Sequence, residues 1–152
     1  EVAAHLGREK LANMPGLNEF TYAMEKVFNA ADTDGLALFA AYKSMPLAED
    51  TPARAMQLAV SLREFRGSAH LIAIRAVGIT SKQAHYVKRP SDAKNFGWGE
   101  EDAPVVDDQV RALWDQAEKL TDALCIPAYS VLNDAERKAL VAGVKAFEAA
   151  LA

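Results

Sequence analysis

The chain has 152 residues, which is enough for one domain with a substantial hydrophobic core. Its composition, 51% hydrophobic and 25% charged, is typical of a globular protein. The net charge of -4 argues against a dedicated nucleic-acid binder, which usually carries a basic face. No run of 18 apolar residues occurs, so the sequence predicts no membrane span.

The single cysteine, Cys125, cannot form an internal disulfide or a Cys-x-x-Cys metal site. This favours a cytoplasmic protein, in which Cys125 is expected to be a buried, inert thiol. The three histidines show no pair three or four residues apart, so no metal site is predicted. The sequence leaves the identity of any cofactor unknown.

The hydrophobic spacing is helical almost throughout, and alternating β-branched runs are absent. Before the longest helix, the pattern predicts helices over 2–13, over 18–30 with Asn18 as cap, and over 36–45. The sequence Asp-Thr-Asp-Gly at 32–35 lacks the first and twelfth ligands of a calcium loop, so it predicts a turn and helix cap.

The most informative segment is a long helix predicted over 51–78. Thr51 is an N-cap residue, Pro52 suits the first helical position, and Gly78 suits the C-terminal stop. One apolar stripe follows helical steps and predicts the core-facing side: Leu58, Leu62, Phe65, Ala69, Ile72 and Ala76. The fold is therefore predicted to be built around this helix.

A second stripe on the same helix is apolar at both ends and polar in the middle, where Arg63, Arg66 and His70 share one face. Charges there are costly unless they meet a partner or a ligand. The two guanidinium groups would bind a carboxylate or phosphate, and His70 would transfer a proton near neutral pH. Gly67 would let a ligand or another helix approach closely. The pattern predicts an anion site with His70 as its catalytic residue.

Two other interpretations of this stripe stay open. One is a structural ion-pair network with Glu64 or with carboxylates of the sixth helix, and the other is an Arg63 that is simply exposed. Tyr129 is a further candidate ligand-binding residue, because a buried tyrosine could donate a hydrogen bond into the site.

The chain after the long helix is predicted to form a short helix capped by Ser81, then an irregular loop over 89–103. Within this loop, Phe96 and Trp98 would form a lid, with Trp98 as a ligand-binding residue, or would anchor the loop to the core. A basic cluster surrounds the short helix and would touch phosphates or form a solvated surface: Lys82, Lys88, Arg89 and Lys94.

A sixth helix is predicted over 105–124, and Pro127 is predicted to interrupt the helical pattern after it. A last helix is predicted from Asn133 to the end of the sequence, with Glu136 as the capping-box partner of Asn133. The whole chain, 1–152, is thus predicted to be a single all-α domain of about seven to eight helices.

The segment Leu-Arg-Glu-Phe-Arg-Gly-Ser-Ala-His at 62–70 resembles an LREHRGxxH motif, and the similarity continues at 97–101 and 121–124. It is similar to a mostly actinobacterial family of helical proteins described as helix-turn-helix-like with a winged segment. That resemblance implies a helical, helix-turn-helix-like fold. The residues that would form a recognition helix and wing between Glu101 and Val105 look deleted, which argues against DNA binding.

The leading hypothesis is a helical protein that binds a small anionic molecule through Arg63 and Arg66, with acid–base chemistry at His70. Whether it is an enzyme stays open. The alternatives are a degenerate winged-helix transcriptional regulator, which would bind DNA through the basic cluster, and a structural or interaction protein without a ligand site. A homodimer is also expected, because long amphipathic helices often leave a face to spare.

Overall fold

The computed structural model describes residues Glu1–Ala152, and all of its regular secondary structure is helical. The seven α-helices are α1 (Val2–Leu11), α2 (Leu17–Ala30), α3 (Ala37–Lys43), α4 (Thr51–Ala76), α5 (Ser81–Lys88), α6 (Asp108–Tyr129) and α7 (Asp134–Leu151). Two 3-10 helices, Pro90–Phe96 and Glu100–Asp102, lie between α5 and α6. The predicted all-α fold with one long central helix is confirmed, and no helix is long and apolar enough to cross a membrane.

The chain forms two compact units. The first unit comprises Glu1–Ser68 and Cys125–Ala152, and the second comprises Ala69–Leu124. The boundaries fall inside α4 and α6, so each of these helices contributes one part to each unit. A single domain over 1–152 stays a prediction.

The core of the first unit is aromatic. Phe39 of α3 is fully buried, and its ring lies 6.2 Å from Phe28 of α2 and 4.9 Å from Phe65 of α4. Rings that meet edge-on or tilted at these distances contribute beyond the area they bury. This cluster fastens the short helix α3, which is too short to be stable alone.

Helices α2 and α7 pack together at a glycine. A Cβ atom built on Gly143 would lie 2.6 Å from the Cβ of Phe20, so only glycine lets the two helices approach this closely. Phe20 also packs against Phe147, with ring centroids 6.0 Å apart. Asn133 caps α7 with Glu136 as its capping-box partner, as predicted, and Glu136 also binds Lys26 at 2.8 Å.

The start of α4 differs from the prediction by one residue. Asp50, not Thr51, is the N-cap residue, because its carboxylate accepts from the Ala53 N–H at 3.2 Å and its carbonyl accepts from the Arg54 N–H. Arg8 of α1 also donates to the Asp50 carboxylate, and this bond holds the pKa of Asp50 below its ordinary value.

The buried face of α4 shifts along the helix. The stripe predicted from Leu58 to Ala69 is buried, but Ile72 and Ala76 are exposed, and Ala73 and Ile74 are buried instead. The reason is that Ala73 and Ile74 belong to the separate core of the second unit. A single helical period could not anticipate a helix that serves two cores.

Helix α6 begins later and ends later than predicted. Asp107 caps it by accepting from the Val110 N–H at 2.8 Å, and the helix continues through Pro127 to Tyr129. The prediction that Pro127 interrupts the helix is wrong. Pro127 lacks the N–H that would bind the Ala123 carbonyl, so the helix loses one bond there but continues for two more residues. At its end, the Ser130 hydroxyl donates to the Pro127 carbonyl at 2.7 Å.

The sequence at 32–35 forms the predicted turn but not the predicted helix cap, because the N-cap residue of α3 is Leu36 and no side chain caps it. The N–H of Asp34 donates to the Asp32 carboxylate at 3.0 Å, and Gly35 has a φ of 73°. This carboxylate therefore organises the backbone that leads into α3.

Candidate nucleic-acid interface

A four-residue connection, 77–80, joins α4 to α5 within the second unit. Gly78 has a φ of 90°, and the N–H of Ile79 donates to the Ile74 carbonyl at 3.1 Å while the N–H of Gly78 donates to the Arg75 carbonyl at 3.2 Å. This pair of bonds is a Schellman motif, and Ile74 and Ile79 supply its apolar contact within one core. The C-terminal end of α4 is thus fully specified.

The next residue starts α5. Thr80 accepts from the Gln83 N–H at 3.1 Å, and the Gln83 side chain accepts from the Thr80 N–H at 3.0 Å. The cap is therefore Thr80, not Ser81 as predicted. The spacing Thr-x-x-Gln was the overlooked signal, since it is a capping box.

A small core holds α5 against the rest of the second unit. It is formed by α4, the connection, α5 and α6, with Ala73, Ile74, Ile79, Ala84, Val110 and Ala117 buried. Val87 of α5 packs against the same core. Since Ala84 and Val87 face inward, the opposite side of α5 carries Lys82, His85 and Tyr86, and Arg89 follows as the C-cap.

Charge is unevenly distributed in this unit. Residues 69–95 carry five cationic side chains and one carboxylate, whereas residues 96–124 carry two cationic side chains and eight carboxylates. In the basic part, Arg89 and Lys94 are exposed and form no ion pair. Lys88 lies over the Trp114 ring, with its ammonium 5.5 Å from the centroid. The net charge of the whole chain conceals this local basic region.

Aromatic side chains from the following segment lie on α5. The His85 ring meets Phe96 at 4.7 Å and Trp98 at 5.5 Å, both edge-on. Trp98 also stacks on Tyr86 at 6.0 Å and on Phe96 at 4.9 Å. Nε2 of His85 is enclosed by this packing and has no hydrogen-bond partner.

An ion pair joins the same two segments. The Lys82 ammonium lies 3.3 Å from the Asp102 carboxylate and 5.1 Å from the centroid of the Trp98 ring. Asp102 also accepts from the Gly99 N–H at 3.0 Å. This backbone bond, and after it Lys82, holds the pKa of Asp102 below its ordinary value. Segment 96–102, which lies on α5 through these contacts, is named the cover.

His70, the predicted catalytic residue, is half-buried in the second unit. Its Nδ1 lies 2.9 Å from the Thr121 hydroxyl and 3.4 Å from the Glu118 carboxylate. The Thr121 hydroxyl donates its single proton to the Ala117 carbonyl at 2.7 Å, so Nδ1 of His70 must be the donor in their bond. The carboxylate of Glu118 would stabilise the charged ring.

The predicted ligand-binding residues belong to different units. Trp98 lies in the cover of the second unit, whereas Arg63, Arg66 and Tyr129 lie in the first. The side chain of Arg63 is 80% exposed and binds its neighbour Glu64 at 2.5 Å. Burial raises the pKa of Tyr129, and the nearby Cys125 adds to this shift, whereas the charge of Arg66 opposes it.

The whole sequence, residues 1–152, matches the model of a helix-turn-helix family. The chain belongs to this helix-turn-helix family. No curated protein and no solved structure matches it.

The family assignment agrees with the fold resemblance inferred from the motif at 62–70. Helix α5 follows the connection at 77–80 and so lies earlier in the chain than the region between Glu101 and Val105, where the resemblance places a recognition helix. The deletion of a wing stays a prediction. No group of three or more metal-ligating side chains is present.

Proposed function

We propose that the protein binds duplex DNA, with α5 as the recognition helix of a helix-turn-helix. The observation that carries this proposal is the connection at 77–80, where a Schellman motif and a capping box fix the direction of an eight-residue helix. Helix-turn-helix proteins place such a second helix in the major groove and present its outward side to the bases.

The local charge supports the same proposal. Arg89 and Lys94 are exposed cations directly after α5 and suit contacts to phosphates, which position a protein on the duplex without reading sequence. Such contacts release counterions, so binding should weaken steeply with salt. The overall charge of -4 does not prevent this, because Arg89 and Lys94 are exposed, and of the acidic residues that follow, Asp102 pairs with Lys82 instead.

The test measures binding of the full chain to a mixed-sequence duplex at several salt concentrations. Wild type and Trp98→Ala are both titrated, because the Trp98 ring lies on α5 and its removal leaves the helix more accessible. Combining Arg89→Ala with Lys94→Ala should lower the salt slope by about two, since each lost phosphate contact removes about one. The control pair Lys10→Ala and Lys119→Ala removes the same charge from other exposed positions. Absence of binding by both chains at low salt, or an equal loss in the control, would overturn the proposal.

A second candidate function is binding of a small anionic molecule within the first unit, at Arg63, Arg66 and Tyr129. The observation in its favour is that Tyr129 is largely buried and that the charge of Arg66 acts on its hydroxyl. His70 and Trp98 belong to the second unit, where the Glu118 carboxylate, 3.4 Å from the His70 ring, opposes binding of an anion.

Native mass spectrometry of gently purified protein tests this second candidate. A bound molecule should appear in wild type and be lost in Arg66→Ala and Tyr129→Phe. If these variants and His70→Ala lower only the melting temperature, the side chains have a structural role and the candidate fails.

We also propose that the protein forms a homodimer through α7. Arg137, Val141, Val144 and Glu148 are exposed and follow steps of four, three and four, so they share one face. In an antiparallel pair centred on this face, Val141 meets Val144 of the partner subunit and Arg137 meets the partner's Glu148. The face is thus complementary to itself in both charge and apolar surface.

Sedimentation velocity with exchanged charges tests the dimer. Arg137→Glu and Glu148→Arg should each weaken association, and the two substitutions combined should restore it, because the pair is re-formed with opposite polarity. A monomeric wild type at the highest soluble concentration, or no restoration in the combined variant, would refute this interface.

A further inference from the structure

We infer that the cover, segment 96–102, is an autoinhibitory element that occupies the DNA-reading side of α5. This inference rests on the proposed DNA binding by α5. It adds that the described conformation is the closed one, and that DNA must displace Phe96, Trp98 and Asp102 before α5 can enter a groove.

The residues of α5 that would face DNA are already in contact with the cover. Lys82, His85 and Tyr86 lie on the side of α5 opposite Ala84, which is the side that a recognition helix presents to DNA, and Arg89 follows as the C-cap. The first three of these residues are in contact with the cover. Only Arg89, at the end of the helix, is left exposed without such a contact.

A further argument is chemical. The Asp102 carboxylate binds Lys82 as a DNA phosphate would, with its oxygen 3.3 Å from the ammonium. The Trp98 ring lies beneath the same ammonium and so occupies the other side of the cation. The cover therefore supplies both an anion and a flat ring to the residues that would otherwise meet a phosphate and a base.

The closed arrangement leaves one buried polar atom without a hydrogen bond. Nε2 of His85 is buried by the aromatic rings without a hydrogen-bond partner, which costs free energy that opening would recover. Phe96 remains 58% exposed even when closed, so little apolar surface opposes its release. These features suit a segment that closes weakly and can be displaced by a strong polyanion.

The direct experiment uses tryptophan fluorescence. The chain has two tryptophans, so Trp114→Phe leaves Trp98 as the only reporter and keeps an aromatic ring in the core. Addition of a mixed-sequence duplex should change the emission of Trp98 and raise its quenching by acrylamide. Unchanged quenching at saturating duplex would show that DNA binds without moving the cover.

The second experiment measures affinity. We expect Trp98→Ala to bind the duplex about tenfold more tightly than wild type and Asp102→Asn about threefold, because a ring contact and an exposed ion pair are removed from the closed state only. Asp115→Asn is the matched control: Asp115 is an exposed carboxylate of α6, and its loss changes the net charge equally.

The outcomes separate this inference from the proposal on which it rests. Tighter binding by Trp98→Ala and Asp102→Asn, but not by Asp115→Asn, supports the cover. Equal binding by wild type and both cover variants overturns the cover and leaves DNA binding by α5 intact. No binding by any chain overturns DNA binding itself. A thermal melt of each variant establishes that it is folded. If Trp98→Ala does not fold, Asp102→Asn still tests the cover, because this substitution removes a charge and no packing.

Discussion

The two units use their aromatic residues in opposite ways. In the first unit, Phe20, Phe28, Phe39 and Phe65 are all buried between helices. Phe39 packs against Phe28 and Phe65, and Phe20 packs against Phe147. In the second, the buried core is made of small and aliphatic side chains, and Phe96 and Trp98 lie outside it on the surface of α5. The first arrangement is typical of structural packing. The second leaves aromatic rings on the surface of a helix, where a binding partner can displace them.

The polar contacts show the same contrast. In the first unit, Asp50 and Glu136 each cap a helix and bind one cation, so both carboxylates serve the fold. In the second unit, Asp102 caps only a three-residue 3-10 helix and binds a cation of α5. The difference suggests that function should be sought in the second unit.

The largest expected difference in the free energy of unfolding is between two phenylalanine-to-alanine substitutions, one in each unit. Phe39→Ala should lower the free energy of unfolding by about 3–5 kcal/mol, because the ring is fully buried between two others. Phe96→Ala should cost less than about 1 kcal/mol, since its ring is largely exposed. Urea unfolding measures both, and equal losses would abolish the contrast between the units.

A second test compares two glycines in helices. Gly143→Ala should cost about 1–3 kcal/mol, because its Cβ would collide with Phe20. Gly67→Ala should stabilise by about 1 kcal/mol, since nothing lies within 4 Å of its Cβ position and alanine favours a helix. Destabilisation by Gly67→Ala would instead indicate that another group approaches this site.

The connection between α4 and α5 gives a smaller effect. Thr80→Ala should lower the free energy of unfolding by about 1 kcal/mol, because the capping box of α5 is lost. Thr80→Ser keeps the hydroxyl and should be close to wild type. If alanine and serine behave alike in thermal unfolding, the cap does not contribute to the second unit.

The smallest effect concerns pH. The pKa of Glu136 is lowered in the folded state by Lys26 and then by the Asn133 N–H, so its contribution is present above the unfolded pKa and is lost as pH falls through the folded one. Glu136→Gln keeps the capping bond but not the charge. We therefore expect a smaller stability difference between neutral pH and about pH 3 in this variant. An unchanged difference in chemical denaturation would contradict this.

Much of the candidate interface was readable in the sequence but was assigned elsewhere. The basic cluster around Lys82 and Arg89 was identified, and the resemblance at 62–70 pointed to a helix-turn-helix family that the match over 1–152 confirms. The capping box at Thr80 was also present as a pattern. The short helix after Gly78 is predicted from the sequence as well, with its cap one residue late, whereas the resemblance places a recognition helix after Glu101.

The sequence by itself determined the helices, because helical periodicity, caps and stops are local properties that residues such as Asn133 and Gly78 express within one turn. Tertiary structure decided which faces are buried. Ile72 and Ala76 are exposed because α4 serves two cores. Helix α6 continues for two residues beyond Pro127, although proline cannot donate a helical hydrogen bond. The placement of Trp98 and Asp102 on α5 joins residues more than ten positions apart, and no local pattern encodes such a contact.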